Sequence, residues 1–152
     1  MSEAEEPALS FEGAKLTPQK EVVRIFYHDL WDKADKSWIP KILHADFNFR
    51  GSLGPVLVGH EQFAGYVDWV VSSLAYYRSD ILTMVEEGPR VVAKMRFYGI
   101  HQKEVFGVAP TGRKVWWHGM AMFTFEGARV RDLWVLGDVH GLVAKLKGEK
   151  PR

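Results

Sequence analysis

The sequence predicts an α+β domain in which helices come first and antiparallel strands follow. Three observations support this prediction. Apolar residues recur at helical spacing up to about residue 74, strand-like runs begin near residue 76, and turn-forming residues separate those runs. The chain has 152 residues, 47% of them hydrophobic, which suits one domain with a sizeable core. A curved sheet wrapped around helices would enclose a cavity.

The first helix is predicted to begin after Thr17, a suitable N-cap, with Pro18 in the first turn. An apolar stripe follows at helical spacing. Its members are Val22, Val23, Phe26, Tyr27, Leu30 and Trp31. Two more helices are predicted over residues 37–43 and 59–74.

Strands are predicted over residues 77–85, 90–105, 114–125 and 129–137, with Gly- and Pro-containing turns between them. The domain should therefore occupy residues 17–147. Residues 1–16 are polar and are predicted to form a flexible N-terminal arm, and residues 148–152 a C-terminal tail.

Composition excludes several classes of protein. The 20 Lys and Arg residues nearly balance the 19 Asp and Glu residues, which gives no electrostatic basis for binding nucleic acid or an anionic membrane. Cysteine is absent, so disulfides, Cys-ligated metals and thiol nucleophiles are excluded. The acidic N-terminus does not resemble a signal peptide, and no apolar run approaches the ~20 residues of a membrane helix. We therefore expect a cytoplasmic protein.

The last predicted hairpin places the titratable groups of most interest. A three-residue loop at Phe125-Glu126-Gly127 would put His118 on one face with Asp132, as diagonal neighbours. Met120 and Trp134 would share that face. The alternative is a two-residue loop at Gly127-Ala128, which would send His118 to the opposite face.

A His and a carboxylate that face an aromatic pocket are suited to general acid/base catalysis, because burial raises a carboxyl pKa toward that of His. The alternative is a structural polar pair or a salt bridge with Arg129 or Arg131. The opposite face of the hairpin is also apolar, with Trp117 and Phe123 among its residues. Since one face must pack on the helices, we expect the other to be covered by a second subunit in a homodimer or higher homo-oligomer.

A family resemblance adds to this interpretation. Residues 99–113 contain a Gly-x-His followed by Phe-Gly-x-x-Pro-Thr-Gly-Arg, and residues 127–138 contain a Gly, a Trp and two Asp residues in a hairpin. This arrangement, over roughly residues 20–146, resembles the SnoaL-like polyketide cyclases (ester cyclases) of the nuclear transport factor 2-like superfamily. The resemblance implies a cone-shaped roll of three N-terminal helices packed on a strongly curved, mainly antiparallel sheet that encloses a pocket.

The resemblance also implies a cyclase or isomerase that uses neither metal nor cofactor and acts on a small, flat carbonyl compound. Asp132 would act as the acid/base and His118 as its partner. Residues expected to bind the substrate are His101, Trp134, Met120, Phe97, Trp31, Tyr66 and Trp69. Ile100 and Lys103 depart from the usual family residues, which leaves the substrate open.

Two other functions remain open. A domain of the same fold could bind a small molecule without turning it over. A hydratase or epoxide hydrolase would need an Asp–Arg–Asp set that activates water, which Asp132, Arg96 and Asp80 could form only if their strands face the same way.

Overall fold

The computed structural model describes residues 6–149 and confirms the α+β class, with four helices packed on a curved, open, six-stranded sheet. The first helix, α1, covers Pro18–Arg24 and continues in a π-helical conformation over Ile25–Trp31. Its predicted cap is present, because the Thr17 hydroxyl accepts a hydrogen bond from the Lys20 amide at 3.2 Å.

The remaining helices are short except for the third. A 3₁₀ turn at Lys36–Trp38 leads into α2, Ile39–Ile42, and α3 covers Gly59–Ser73. Helix α4 covers Val139–Leu146 after the last strand. Asp138 caps this helix by accepting a hydrogen bond from the Gly141 amide at 2.9 Å.

The six strands lie in the spatial order β2-β1-β6-β5-β4-β3. Only the β1–β6 pair is parallel. Their bounds are Leu43–Arg50 for β1, Val56–Val58 for β2, Leu74–Glu87 for β3, Arg90–His101 for β4, Lys114–Glu126 for β5 and Arg129–Gly137 for β6. The four predicted strands are therefore present, although β4 ends four residues earlier than expected.

The helices pack on what we call the inner face of the sheet, which carries Phe97, Trp117, Phe123, Leu133 and Val135. These side chains are buried because α1 and α3 place their own aromatic rings against them. The Phe26 ring of α1, for example, meets the Phe123 ring edge-on with centroids 5.3 Å apart. The opposite, outer face remains partly exposed.

The β5–β6 hairpin differs from the predicted register. It closes with the two-residue turn Gly127-Ala128, and Gly127 has a φ of 61°. A bulge at Arg131 then inserts one extra residue in β6, so Asp132 pairs with Thr124. The extra residue restores the predicted facing, and Asp132 and His118 do share a face. That face is the outer one.

The N-terminal arm contacts the sheet over its described part. The Leu9 amide donates to the Ile81 carbonyl at the β3 edge over 2.8 Å, and the Glu6 carboxylate accepts from Lys94 at 2.9 Å on the outer face. Residues 1–5 of the predicted arm and 150–152 of the predicted tail lie outside the described residues. Between residues 6 and 149, none of the helices is long and apolar enough to span a bilayer.

Candidate functional site

A cavity lies between the helices and the inner face of the sheet. Helices α1 and α3 provide one wall and strands β3 to β6 the other, while residues 51–53 lie at its rim. The lining residues are Phe26, Tyr27, Trp31, Phe49, Gly51, Ser52, Leu53, Tyr66, Val70, Tyr77, Phe97, Trp117 and Val135. The site is therefore apolar and strongly aromatic, as small-molecule pockets commonly are.

Local irregularities in the backbone position several of these side chains. The π-helical part of α1 includes Tyr27 and Trp31. Its turns are wider than those of an α-helix, because the Asp32 amide donates to the carbonyl five residues earlier, that of Tyr27. Near the start of β3, a bulge between Ala75 and Arg78 interrupts the strand alternation. Tyr77 turns inward there and lines the cavity.

Three phenols are carried by residues that line the cavity. They belong to Tyr27, Tyr66 and Tyr77. Burial is the main cause that raises the pKa of each of them, and their electrostatic proximity adds to the shift of Tyr27 and Tyr77. For Tyr66, the Leu53 backbone amide offsets part of the effect. The three hydroxyls therefore stay protonated at neutral pH and can donate hydrogen bonds.

The remaining polar groups of the cavity are neutral. The Trp117 indole nitrogen donates to the Ser52 hydroxyl over 3.4 Å. No carboxylate, imidazole, ammonium or guanidinium is found among the described residues that line the cavity. A search of residues 6–149 likewise finds no cluster of His, Asp or Glu suited to a metal ion. The cavity can therefore hold and orient a neutral ligand, but it contains no group that accepts a proton readily at neutral pH.

The cavity is narrow in the present side-chain arrangement, with room for only about two water-sized molecules. A surface groove beside α3 adjoins the cavity and shares two lining residues with it, Leu53 and Tyr66. Trp69 lines this groove rather than the cavity. Movement of Leu53 and Tyr66 would join the two spaces and admit a larger ligand.

The structure brings only part of the predicted site together. Trp31, Tyr66 and Phe97 line the cavity, whereas Met120 and Trp134 lie on the outer face with 45% and 43% of their side chains exposed. The sequence could not distinguish the faces because both are apolar.

The predicted pairing of Asp132 with His118 is wrong. Asp132 lies opposite Thr124, whereas the His118 carbonyl accepts a hydrogen bond from the Asp138 amide. The two side chains are thus separated by six residues along β5, about 20 Å in an extended strand. Both lie on the outer face, away from the cavity. They therefore do not form an acid/base pair.

His101 lies on the inner side of β4, as its alternation with Met95, Phe97 and Gly99 predicts, but it does not line the cavity. It is fully buried, and its Nδ1 lies 3.0 Å from the Thr111 hydroxyl. The Thr111 amide also donates to Nδ1 at 3.3 Å. The imidazole therefore holds the Pro-Thr-Gly turn against the end of β4.

The hydratase arrangement is not formed either. Arg96 and Asp80 do pair, with Nη2 and Oδ2 3.1 Å apart, but they lie on the outer face. Asp132 lies at the β1 side of the sheet, beside Asn48 and Arg50. The three groups do not surround a common water position.

Sequence reasoning missed the most polar part of the cavity. Tyr27 was assigned to an apolar stripe and Tyr77 to an ordinary strand. The available signal was the Tyr76-Tyr77 pair at the start of a strand. Two successive large side chains at the start of a strand either point to opposite faces of the sheet or mark a bulge.

The family model for the SnoaL-like polyketide cyclases matches residues 21–146. Comparison with curated proteins gives no significant match.

Solved structures show the same fold at low sequence identity. A candidate SnoaL-like polyketide cyclase from Jannaschia sp. CCS1 is 17% identical, covers 91% of this chain and 100% of its own, and has a TM-score of 0.78. AclR, a candidate hydroxylase from Streptomyces galilaeus, is 21% identical over 88% of this chain and 87% of its own, with a TM-score of 0.73. An LEH-like epoxide hydrolase from M. tuberculosis is 12% identical, covers 86% of this chain and 90% of its own, and has a TM-score of 0.67.

Proposed function

The chain belongs to the SnoaL-like polyketide cyclase family, and we propose that its aromatic cavity binds a small, flat, neutral compound with a carbonyl oxygen. The observation that carries this proposal is the composition of the cavity wall. Aromatic rings suit a flat apolar body, and three protonated phenols suit an oxygen acceptor. A charged ligand would find no counter-ion among the described lining residues.

The same wall argues for binding without turnover. General acid/base catalysis is most efficient when the pKa of the catalytic group lies near the working pH. The pKa values of the cavity phenols move away from neutrality, because burial disfavours the phenolate. A non-catalytic binding domain, which the sequence left open as an alternative, therefore fits the cavity better than the Asp–His enzyme that the family resemblance implies.

A titration with 1-indanone, a flat neutral ketone, tests the binding proposal. Trp31 and Trp117 line the cavity, so bound ketone should quench their fluorescence. Tyr77→Phe removes one donor and should weaken binding by about three- to tenfold, the effect of one hydrogen bond. The matched control is Tyr76→Phe, since the neighbouring Tyr76 side chain is 88% exposed. Equal affinities in the two variants would contradict the role of the cavity phenols.

A second candidate function is ring closure or isomerisation, and membership of a cyclase family favours it. In that case the phenols would stabilise negative charge that develops on the carbonyl oxygen, as preorganised donors do in oxyanion sites. The substrate would have to supply an acidic carbon, because the cavity supplies no strong base.

Turnover of a linear 1,5-diketone separates the two candidates. The binding function predicts that the diketone is recovered unchanged after incubation with the protein. Catalysis predicts a cyclic product whose rate of formation falls in Tyr66→Phe and Tyr77→Phe and is retained in Tyr76→Phe. Cyclisation that all three variants support equally would exclude the phenols as the catalytic donors.

A further inference from the structure

A second hollow lies on the outer face of the sheet, on the opposite side from the aromatic cavity. It lies where β3, β4 and β5 begin or end side by side. Its lining combines apolar, aromatic and cationic side chains, chiefly Ala75, Tyr76, Arg78, Tyr98, Ile100 and Lys114. We call it the outer hollow.

The described residues that line the outer hollow include two cations, Arg78 and Lys114, and no carboxylate. The Arg78 guanidinium lies 5.1 Å from the centre of the Tyr98 ring, and the Lys114 ammonium lies 5.5 Å from it. Asp80 is the nearby carboxylate, 3.8 Å from Arg78 Nε and 3.1 Å from Arg96 Nη2. Asp80 therefore brings one negative charge close to Arg78, and it also contacts Arg96. Within residues 6–149, no carboxylate lies within ion-pair distance of Lys114.

The backbone at Tyr76 is the second feature of the outer hollow. Tyr76 has a φ of 54°, a left-handed conformation that is strained for a residue with a β-carbon, and its ring is 88% exposed. The same bulge turns Tyr77 into the aromatic cavity. Inward placement of Tyr77 explains the bulge, but it does not explain a large aromatic ring at position 76. Strain of this kind persists most often where function requires it.

We infer that the outer hollow binds a small aromatic carboxylate. The carboxylate group would lie between Arg78 and Lys114, whose combined charge Asp80 does not neutralise. The planar ring would pack between Tyr76 and Tyr98, beside the apolar surface of Ile100. This site is separate from the proposed function of the cavity, which holds a neutral ligand on the other side of the sheet.

A ¹⁹F NMR titration of the full chain with 4-fluorobenzoate tests the inference, with 4-fluorobenzamide as the uncharged isostere. The parent protein should bind the benzoate about tenfold more tightly than the benzamide, and added salt should weaken only the benzoate. The double variant Arg78→Gln/Lys114→Gln should lose this preference. Lys15→Gln/Lys41→Gln makes the same change in net charge at exposed sites elsewhere and should keep it.

Other results would overturn the inference. Equal affinity for the acid and the amide, no binding of the acid by the parent protein, or unchanged binding by the double variant would each do so. If 4-fluorobenzoate bound in the aromatic cavity instead, Tyr77→Phe would weaken the binding of both the benzoate and the benzamide. That result would also overturn the inference.

Tyr76→Gly provides an independent test of the aromatic wall. Glycine accepts positive φ without strain, so this variant should melt no lower than the parent protein. It should nevertheless bind 4-fluorobenzoate several-fold more weakly, because one face of the ring site is removed. Unchanged affinity in Tyr76→Gly would show that the exposed ring takes no part.

Discussion

At the scale of single residues, the buried phenols make stability depend on alkaline pH. Tyr27 and Tyr77 have folded-state pKa values raised above the ordinary value of 10.0, mainly by burial. Above pH 10 the unfolded chain loses its phenolic protons while the folded chain retains them. The unfolded state then binds fewer protons, so the free energy of unfolding falls as pH rises.

The expected slope is measurable by urea unfolding between pH 8 and 11. Each phenol that remains protonated in the fold contributes a loss of up to about 1.4 kcal/mol per pH unit above pH 10. Tyr77→Phe should reduce the slope by one such contribution. Tyr76→Phe, which removes an exposed phenol, should leave it close to that of the parent protein. A parent protein whose stability is flat above pH 10 would contradict the burial of these groups.

A second residue-scale prediction concerns Asp132 and His118. Because both lie on the outer face, Asp132→Asn and His118→Gln should each leave the affinity for 1-indanone unchanged within twofold. Any turnover that the parent protein supports should survive as well. The measurement is the same fluorescence titration. A tenfold loss in either variant would revive the acid/base pair predicted from the sequence.

Residue type and periodicity predict burial better than they predict chemistry. The helical stripe of α1 correctly identified Tyr27 and Trp31 as inward-facing. It could not show that Tyr27 lines a cavity, because a tyrosine in solid core and a tyrosine at a cavity wall have the same spacing. Position 135 shows the same limit: Val135 lines the cavity, and nothing in the strand pattern distinguishes it from ordinary core.

At the scale of elements, the β5–β6 hairpin shows why the facing of a strand pair was not predictable. The observed turn, Gly127-Ala128, was the alternative to the predicted loop at residues 125–127, whereas the strand bounds 129–137 were correct. The register depended on a bulge at Arg131, which no sequence signal announces. The choice of inner face depended on which set of side chains fits α1 and α3, a tertiary property.

The turn at residues 110–112 gives an element-scale prediction. Thr111 bonds His101 through its hydroxyl, and the Gly112 amide donates to the His101 carbonyl at 2.9 Å. Thr111→Ala removes the hydroxyl contact to a fully buried imidazole and should lower the free energy of unfolding by about 1 kcal/mol. Thr111→Ser keeps the hydroxyl and serves as the control.

Hydrogen exchange should locate the effect of Thr111→Ala. The Gly112 amide is expected to exchange faster in that variant, whereas amides in the middle of β4 should be slowed or hastened only as global stability changes. Equal exchange at Gly112 in the Ala and Ser variants would show that the backbone contacts alone hold the turn.

At the scale of the whole molecule, the outer face of the sheet presents more apolar surface than the fold itself can cover. Met120, Met122, Trp134 and Leu136 are each at least 36% exposed and adjoin one another across the β5–β6 pair. Monomeric proteins seldom leave contiguous apolar patches of this kind in water. A two-fold axis through the β5–β6 pair would place this patch of one subunit against the same patch of a second subunit, as isologous interfaces require.

We therefore expect a homodimer that buries the outer face of β5 and β6. Trp134→Glu puts a charge at the centre of the patch, where burial without a partner is costly, and should shift the protein toward monomer. The measurement is solution mass by sedimentation equilibrium across a range of concentrations. Trp69→Glu makes the same substitution at a tryptophan 40% exposed on α3, away from the patch, and should leave the mass unchanged. A parent protein that is monomeric at all concentrations would reject the dimer, and a dimer that both variants retain would place its interface elsewhere.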